Sequence, residues 1–515
     1  MKTPTSPEVA PAADDSPAAG GGGLDRALLT VASVVVLGAV MSILDVTVVN
    51  VAINHLSEEL KSPLSTIQWV ATGYTLALAT VIPVSGWAAD RFGTKRLYMI
   101  SIALFILGSA MAGLAWSAPS LIAFRVLQGL GGGMIMPCAM TILTQAAGPQ
   151  RVGQVMSVVG IPMLLGPICG PILGGYLVDQ VSWRWIFYIN IPIGIVTLLL
   201  SWRILAKDKP EPTQRLDVLG LLLLSPGLAS LIYGLATGAE KGAFDSAKVL
   251  VPAIAGAALV IAFVARSLTA ESPLIQLRLL KRRSVASAAG TMMLFGVAFF
   301  GAMLLLPLYY QVVRHQSALH AGLLLAPQGF GAMITMPIGG KLTDRVGPGR
   351  VVLAGLIIII AATSVFTQIA ADTSFVFLGF TLFLMGLGMG MTMMPTMSAA
   401  FQSLTHAEVP RASTMMNIIQ QVAGSIGVAT MSVVLGNALA DRLPGGGSAG
   451  GLGAAQHVPP ALMAKLAPKI ADSFAHTYVV ALGLLVVAIV PALLLPRRKP
   501  ETDPAKAAAE PMPMH

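Results

Sequence analysis

Two charged residues sit where charge is hardest to keep. Asp45 lies within the apolar run from about residue 27 to 53, in the stretch Met41-Ser42-Ile43-Leu44-Asp45-Val46-Thr47-Val48-Val49-Asn50. Arg125 lies within a second run, in Leu121-Ile122-Ala123-Phe124-Arg125-Val126-Leu127-Gln128-Gly129. Each run is long enough to cross a bilayer, which takes roughly 20 helical residues. A charge at that depth costs about 2.5–3.5 kcal/mol on insertion scales. Every other acidic residue, and every other Lys or Arg, falls in a loop, a tail or near the end of an apolar segment. A carboxyl in an apolar setting is pushed toward its neutral form, so it can take up and release a proton. Arginine keeps its charge and needs an anion or polar partners. The bland alternatives are a structural Asp45 bonded to Thr47 or Asn50, and a permanent ion-pair clamp at Arg125.

Composition places the chain in lipid. Hydrophobic residues are 55% of the 515, charged residues only 11%, and mean hydropathy is +0.78. A soluble domain carries about 25% charged residues. The net charge of +9 is spread over the ends of apolar segments rather than gathered on one face, which argues against nucleic acid. Cys138 and Cys169 both fall inside expected spans, so no disulfide framework is expected. The seven histidines show no metal-ligand spacing. No phosphate-loop motif is present, so neither ATP nor any other cofactor is expected. A membrane enzyme would need a buried cluster of acid, base and nucleophile, and the spans offer none.

Fourteen apolar segments have spanning length, at about 27–54, 65–89, 97–116, 119–146, 152–178, 186–205, 216–236, 248–268, 285–313, 318–342, 351–371, 375–402, 411–438 and 475–496. An even number puts both termini on one side. Joins on that side, with the tails, hold 23 of the 32 Lys and Arg, and the opposite joins hold eight. That bias places both termini in the cytoplasm of a multi-pass protein of the plasma (inner) membrane. Residues 1–24 lack an apolar signal region and read as a disordered tail, as do residues 498–515.

The chain also repeats itself. Gly86-Trp87-Ala88-Ala89-Asp90-Arg91-Phe92-Gly93-Thr94-Lys95-Arg96 follows the second span, and Gly340-Lys341-Leu342-Thr343-Asp344-Arg345-Val346-Gly347-Pro348-Gly349-Arg350 follows the tenth. Both fit G-x-x-x-D-R-x-G-x-x-R on a turn, and internal repeats mark secondary transporters. Aligning the two turns gives a six-helix bundle at 25–205, two inserted linker helices at 206–283 and a second six-helix bundle at 284–497. The second bundle holds a surface loop at 439–474. The expected fold is therefore an all-α integral membrane protein with the linker helices at its periphery.

In the fifth span, Gly160-Ile161-Pro162-Met163-Leu164-Leu165-Gly166-Pro167-Ile168-Cys169-Gly170-Pro171-Ile172-Leu173-Gly174-Gly175 sets Gly166, Gly170 and Gly174 on one smooth helix face. Pro167 and Pro171 remove backbone donors and permit a bend. Such a face suits close helix approach, and a hinge or sliding seal between the two halves is expected there. Trp183-Arg184-Trp185-Ile186-Phe187-Tyr188-Ile189-Asn190 reads as an interfacial aromatic belt with no chemistry assigned.

Taken together, these stretches resemble the major facilitator superfamily, specifically its fourteen-span drug:proton antiporter branch of QacA/EmrB type, from about residue 25 to 497. The resemblance implies a major facilitator fold and proton coupling at Asp45 with Arg125. It also implies a gating turn of Gly86, Asp90, Arg91, Gly93 and Arg96, with Asp344 and Arg345 as the second-half counterpart. The fifth-span stretch is similar to the branch's antiporter motif, here Gly166, Pro167, Gly170, Pro171, Gly174 and Gly175. Some pumps of the branch carry further acids in second-half spans; none occurs here, which leaves a one-carboxylate scheme. The implied activity is export of amphipathic small molecules in exchange for protons, with membrane lipid as the surroundings and a periplasmic adaptor left open. A dedicated lipid or metabolite exporter and a proton-coupled nutrient importer are the alternatives. For the substrate, Asn50, Phe295, Phe299, Met389 and Gln420 are weak candidates. They draw on the twelfth-span methionines, whose polarizable side chains suit varied apolar ligands but more often simply pack.

Overall fold

The computed structural model describes residues 26–148, 151–207, 216–241, 246–270, 273–405, 408–442 and 460–497, and helices account for nearly all of them. In chain order they are α1 (Arg26–Glu59), α2 (Leu64–Val81), α3 (Val84–Phe92), α4 (Thr94–Gly113), α5 (Ala118–Ala147), α6 (Val152–Gln180), α7 (Trp185–Tyr188) and α8 (Asn190–Ile204). Then come α9 (Val218–Lys241), α10 (Ala247–Thr269), α11 (Arg283–Val312), α12 (Ala318–Leu324) and α13 (Ala326–Val346). The last four are α14 (Pro348–Phe366), α15 (Phe375–Phe401), α16 (Val409–Arg442) and α17 (Pro460–Leu493). Pairs α2/α3, α7/α8 and α12/α13 each form one broken column, so among the described residues the helices stack into fourteen columns. Twelve are long and apolar enough to cross a membrane, and the α2/α3 pair, bent by 56°, is a thirteenth. The remaining column, α6, is 29 residues long. Irregular backbone is confined to the column ends and breaks, as a medium without water requires.

The repeat in the sequence is a repeat in packing. In the first half α1 lies against α6 and α8, and α5 lies against α2 and α4. In the second half α11 lies against α16 and α17, and α15 lies against α13 and α14, which is the same scheme. The two repeated turns also share one backbone conformation. Gly93 has φ 88° and ψ 143°, and Gly347 has φ 89° and ψ 147°. Only glycine reaches that region without strain, which accounts for the glycine after Asp-Arg in both copies. Each turn then clasps the last column of its own half. Lys95 Nζ donates to the carbonyl oxygens of Trp202, at 2.9 Å, and Leu205. In the second half the Gly349 N–H donates to the Pro496 carbonyl at 2.8 Å. Both clasps satisfy carbonyls left over near a helix C-terminus.

Two sequence expectations change here. The interval 439–474 is helical at both ends, because α16 runs to Arg442 and α17 begins at Pro460. Arg442 and Asp472 pair at 2.9 Å where the two helices meet. The linker helices, expected at the periphery, also divide their roles. α10 shows its outer face, with Val251, Ile254 and Ile261 all more than 60% exposed. α9 is no bystander, for it lies between α2 and α16 and joins the two halves along that side. Ser225 Oγ donates to the Thr80 carbonyl at 2.6 Å, and Tyr233 stacks on Trp69 at 5.6 Å. The tails, 1–24 and 498–515, lie outside the described residues.

The base of the α9/α10 hairpin is tied by Asp217. Its Oδ1 accepts from Gly220 N–H at 2.9 Å, capping α9, and from Arg266 Nη2 at 2.8 Å and Nε at 3.0 Å. Burial works against ionisation, but the Arg266 fork and the Gly220 N–H outweigh it and hold the carboxyl below its ordinary range. A carboxyl held low contributes stability that is present at neutral pH and lost as the pH falls through its folded-state pKa. Asp217→Asn should therefore lower the thermal midpoint of the detergent-purified protein at neutral pH and matter progressively less on acidification. A deficit that stays constant across that range would contradict this assignment.

Candidate functional site

Asp45 and Arg125 meet. Arg125 Nη1 lies 2.5 Å from Asp45 Oδ2, and each residue is 1% exposed. The carboxylate does not sit in the apolar cavity expected from sequence; it sits in a nest of donors. Gln128 Nε2 donates to Oδ1 at 2.8 Å and Asn190 Nδ2 donates to the same oxygen at 3.0 Å. Arg125 Nη1 also donates to Gln128 Oε1 at 2.7 Å, and Nε donates to the Val70 carbonyl at 3.3 Å. The Tyr74 ring covers the guanidinium at 4.1 Å. Asn190 is held in turn by Ser109, whose Oγ donates to the Phe187 carbonyl at 2.9 Å. Thus α1, α2, α4, α5, α7 and α8 all converge on one ion pair.

Sequence reasoning found the two charges and missed their supports. Gln128 stands three residues after Arg125 and therefore on the same helix face, a signal that was available. Asn190 was hidden in the stretch read as an aromatic belt. That reading fits Trp185, which is 50% exposed, but Trp183 and Phe187 are buried. With Val49, Ala52 and Ile67 they form a dry apolar layer beside the pair. The alternative partner Thr47 bonds backward to its own helix, at Leu44 and Ile43, rather than to Asp45. The side chains of Asn50, Pro167 and Pro171 lie outside the described residues.

A cavity of about 760 Å³ opens between the halves. Phe295, Phe299, Met389 and Gln420 line it, alongside Met385, Met393, Asn417 and Gln421. α9 supplies Ile232 and Ala236. α1 contributes Ser42, Ile43, Val46 and Thr47, while Asp45 on the same helix faces the opposite way, into the first bundle. The carboxylate and the cavity therefore share a helix but not a surface.

The glycine face of α6 corrects another expectation. It does not line a seam between the halves; it packs on α1. A Cβ on Gly166 would meet Ile43, one on Gly170 would meet Thr47, and one on Gly174 would meet Val48 at 3.1–3.3 Å. Gly175 has nothing within 4 Å of that position. Other glycines of α6 make contact with the second half. A Cβ on Gly153 would strike Asp344 and the Gly340 carbonyl at 2.7 Å, and one on Gly160 would strike Met336 at 2.7 Å.

The repeated turns lie on the face of the bundle that carries α1's start and α17's end, and both reach across to the other half. Asp90 Oδ2 accepts from Arg411 Nη2 at 3.0 Å and Nε at 3.1 Å, at the start of α16. Asp344 accepts from the N–H groups of Gly153 and Gln154, both at 3.1 Å, at the start of α6. Carboxylates at helix N-termini satisfy orphan donors and suit the helix dipole. Ser85 and Thr414 share a hydrogen bond at 2.9 Å, and Ser413 Oγ donates to the Pro137 carbonyl at 3.0 Å. Gly86 sits against Thr414 and Pro410, where a Cβ would be tight. Arg91, Arg96 and Arg345 are exposed. This face of the bundle is shut.

Two helical bundles of like topology, joined across a central cavity and carrying a buried acid–base pair, are the architecture of a secondary transporter. The chain belongs to the Major Facilitator Superfamily, whose family pattern it matches over residues 35–428. It is 44% identical to the Multidrug resistance protein B homolog of Mycobacterium tuberculosis, over 92% of this chain and 91% of that one. It is 32% identical to the Multidrug export protein EmrB of Haemophilus influenzae, over 78% and 79%. Its fold is similar to the proton:xylose symporter XylE, with a TM-score of 0.58 and 12% identity over 91% of this chain and 97% of that one. It is similar also to the human organic anion transporter MFSD10, with a TM-score of 0.57 and 15% identity over 89% and 99%.

Removing one member of a buried pair leaves the other charge uncompensated, at a cost of roughly 3–5 kcal/mol. Asp45→Ala should thus lower the unfolding midpoint sharply. Asp45→Ala combined with Arg125→Leu should recover much of that loss, as read by fluorescence-detected thermal unfolding in detergent. Additive losses in the double variant would show that the two residues are not energetically paired.

Proposed function

We propose that the chain is a proton-coupled exporter that moves apolar or amphipathic small molecules out of the cytoplasm by alternating access. The observation that carries this reading is the position of Asp45 behind the cavity wall, on the helix that forms that wall. Ionised, the carboxylate holds Arg125, Gln128 and Asn190 and fixes α1 within its bundle. Protonation removes the anion while arginine keeps its charge. Arg125 is then left with Gln128 Oε1, the Val70 carbonyl and the Tyr74 ring, and the hold on α1 is weakened. α1 lies on the small-residue face of α6, a surface over which a helix can shift without interlocking side chains. Movement of α1 carries Ser42, Ile43, Val46 and Thr47 with it and reshapes the cavity. Proton and substrate thus compete through a helix rather than by direct contact.

The cavity suits the proposed substrates. Its volume falls in the usual range for small-molecule sites, roughly 300–1,000 Å³. Phenylalanine and methionine surfaces adapt to varied apolar shapes, and Asn417, Gln420 and Gln421 offer neutral polar contacts without a fixed charge. The excess of Lys and Arg on the closed face supports a cytoplasmic placement of that face and of both termini. The structure then corresponds to a state sealed on the cytoplasmic side by Asp90–Arg411 and by Asp344 on α6. The energy source is the proton gradient, with no cofactor required.

Inverted vesicles carrying a pH gradient provide the test. A lipophilic dye or drug should collapse the gradient in wild type and fail to do so with Asp45→Asn, while dye still binds the variant with little change in affinity. An equal collapse in both proteins would place the proton site elsewhere. Loss of dye binding in the variant would mean that Asp45 shapes the cavity directly.

A further inference from the structure

A second cavity lies on the outer wall of the first half. It is a trough of about 750 Å³ between the first turns of α4 and the last turns of α8, continuing past the end of α8 to Lys207. Its lining changes character along its length. Lys95, Arg96 and Lys207 stand at the end nearest the closed face, and among the described residues no acidic side chain lines it. Beyond them come Ile100 and Ala103 from α4, and Leu199 and Trp202 from α8. Arg96 and Ala103 are seven residues apart, so the apolar shaft extends roughly 10 Å below the cations. Ile100 is 48% exposed, Leu199 59% and Trp202 62%, so no part of the described chain covers the shaft.

That gradient selects one kind of occupant. A water-soluble anion would satisfy the cations and leave the shaft empty, and an uncharged lipid would fill the shaft and leave the cations unmatched. We propose that the trough binds an anionic glycerophospholipid, with its phosphodiester at Arg96 and Lys207 and an acyl chain along Ile100, Leu199 and Trp202. Basic residues at the membrane surface attract anionic lipid, at about 1 kcal/mol each. Here a formed apolar channel is added to that attraction. The site adjoins the turn that closes the bundle: Phe92 lines the trough, and Lys95 lines it while clasping α8. An occupying lipid would brace that clasp. The proposal does not depend on which substrate the central cavity takes.

Native mass spectrometry of the full chain, titrated with phosphatidylglycerol or phosphatidylcholine, tests it. Wild type should retain phosphatidylglycerol in preference to phosphatidylcholine. Arg96→Gln with Lys207→Gln should weaken phosphatidylglycerol retention by roughly tenfold or more, and Arg96→Lys with Lys207→Arg should restore it. Lys341→Gln with Arg350→Gln removes two exposed cations from the second repeated turn, and these line neither cavity. That control should leave retention unchanged, whereas Leu199→Gln with Trp202→Gln should weaken it with all cations in place. Equal weakening by the Lys341/Arg350 control would overturn the site in favour of diffuse surface charge. So would indifference to the Leu199/Trp202 change, or no preference between the two lipids. Comparable unfolding midpoints among the variants establish that folded proteins are being compared.

Discussion

A carboxylate and a guanidinium held 2.5 Å apart with almost no exposure are stable only while both are ionised and their other polar atoms are met. With both side chains closed off from solvent, the protein must supply those partners. Gln128, Asn190, Ser109, the Val70 carbonyl and the Tyr74 ring do so from α5, α8, α4 and α2. The first bundle is organised to bring them together. Such an arrangement is poised, because a single proton on Asp45 changes the balance of charge at its centre.

The proposed coupling rests on which way each face of α1 looks. One face looks into the central cavity, one toward Arg125, and Ile43, Thr47 and Val48 also meet the glycine face of α6. A rigid helix cannot answer to the ion pair without also altering the cavity wall. The small-residue face of α6 seats α1 closely, which is a different use from the inter-half seal that its spacing brought to mind.

Symmetry accounts for the closure of the bundle. Each half carries the same turn, with the same glycine conformation, and each turn presents an aspartate to a helix start in the other half. The two are not chemically identical. Asp90 meets the Arg411 side chain, while Asp344 meets bare backbone N–H groups. The sides of the bundle differ too, since α6 meets α13 directly whereas α9 stands between α2 and α16. α9 therefore belongs to the seam between the halves and not merely to the rim of the fold.

Much of this was legible in the sequence, for reasons particular to membranes. Hydrocarbon penalises charge and unpaired backbone so heavily that span positions, the repeated turns and the isolation of Asp45 and Arg125 all leave a one-dimensional mark. Phe295, Phe299, Met389 and Gln420 could be picked out by type, though type alone could not put them in one cavity. Asn190 left no such mark, because a neutral amide costs little in a helix and draws its role only from what it faces. The direction of the α6 glycines was hidden for a similar reason: spacing gives a stripe, but not the neighbour it touches. The seat of α9 in the seam likewise depends on the packing of α2 and α16, and an apolar helix reads the same against lipid as against protein. The sequence by itself determined which residues must be buried and which backbone turns must recur. Only the tertiary structure decided which buried groups meet, since contact is set by the mutual rotation of helices, and apolar composition on every side leaves that rotation unmarked.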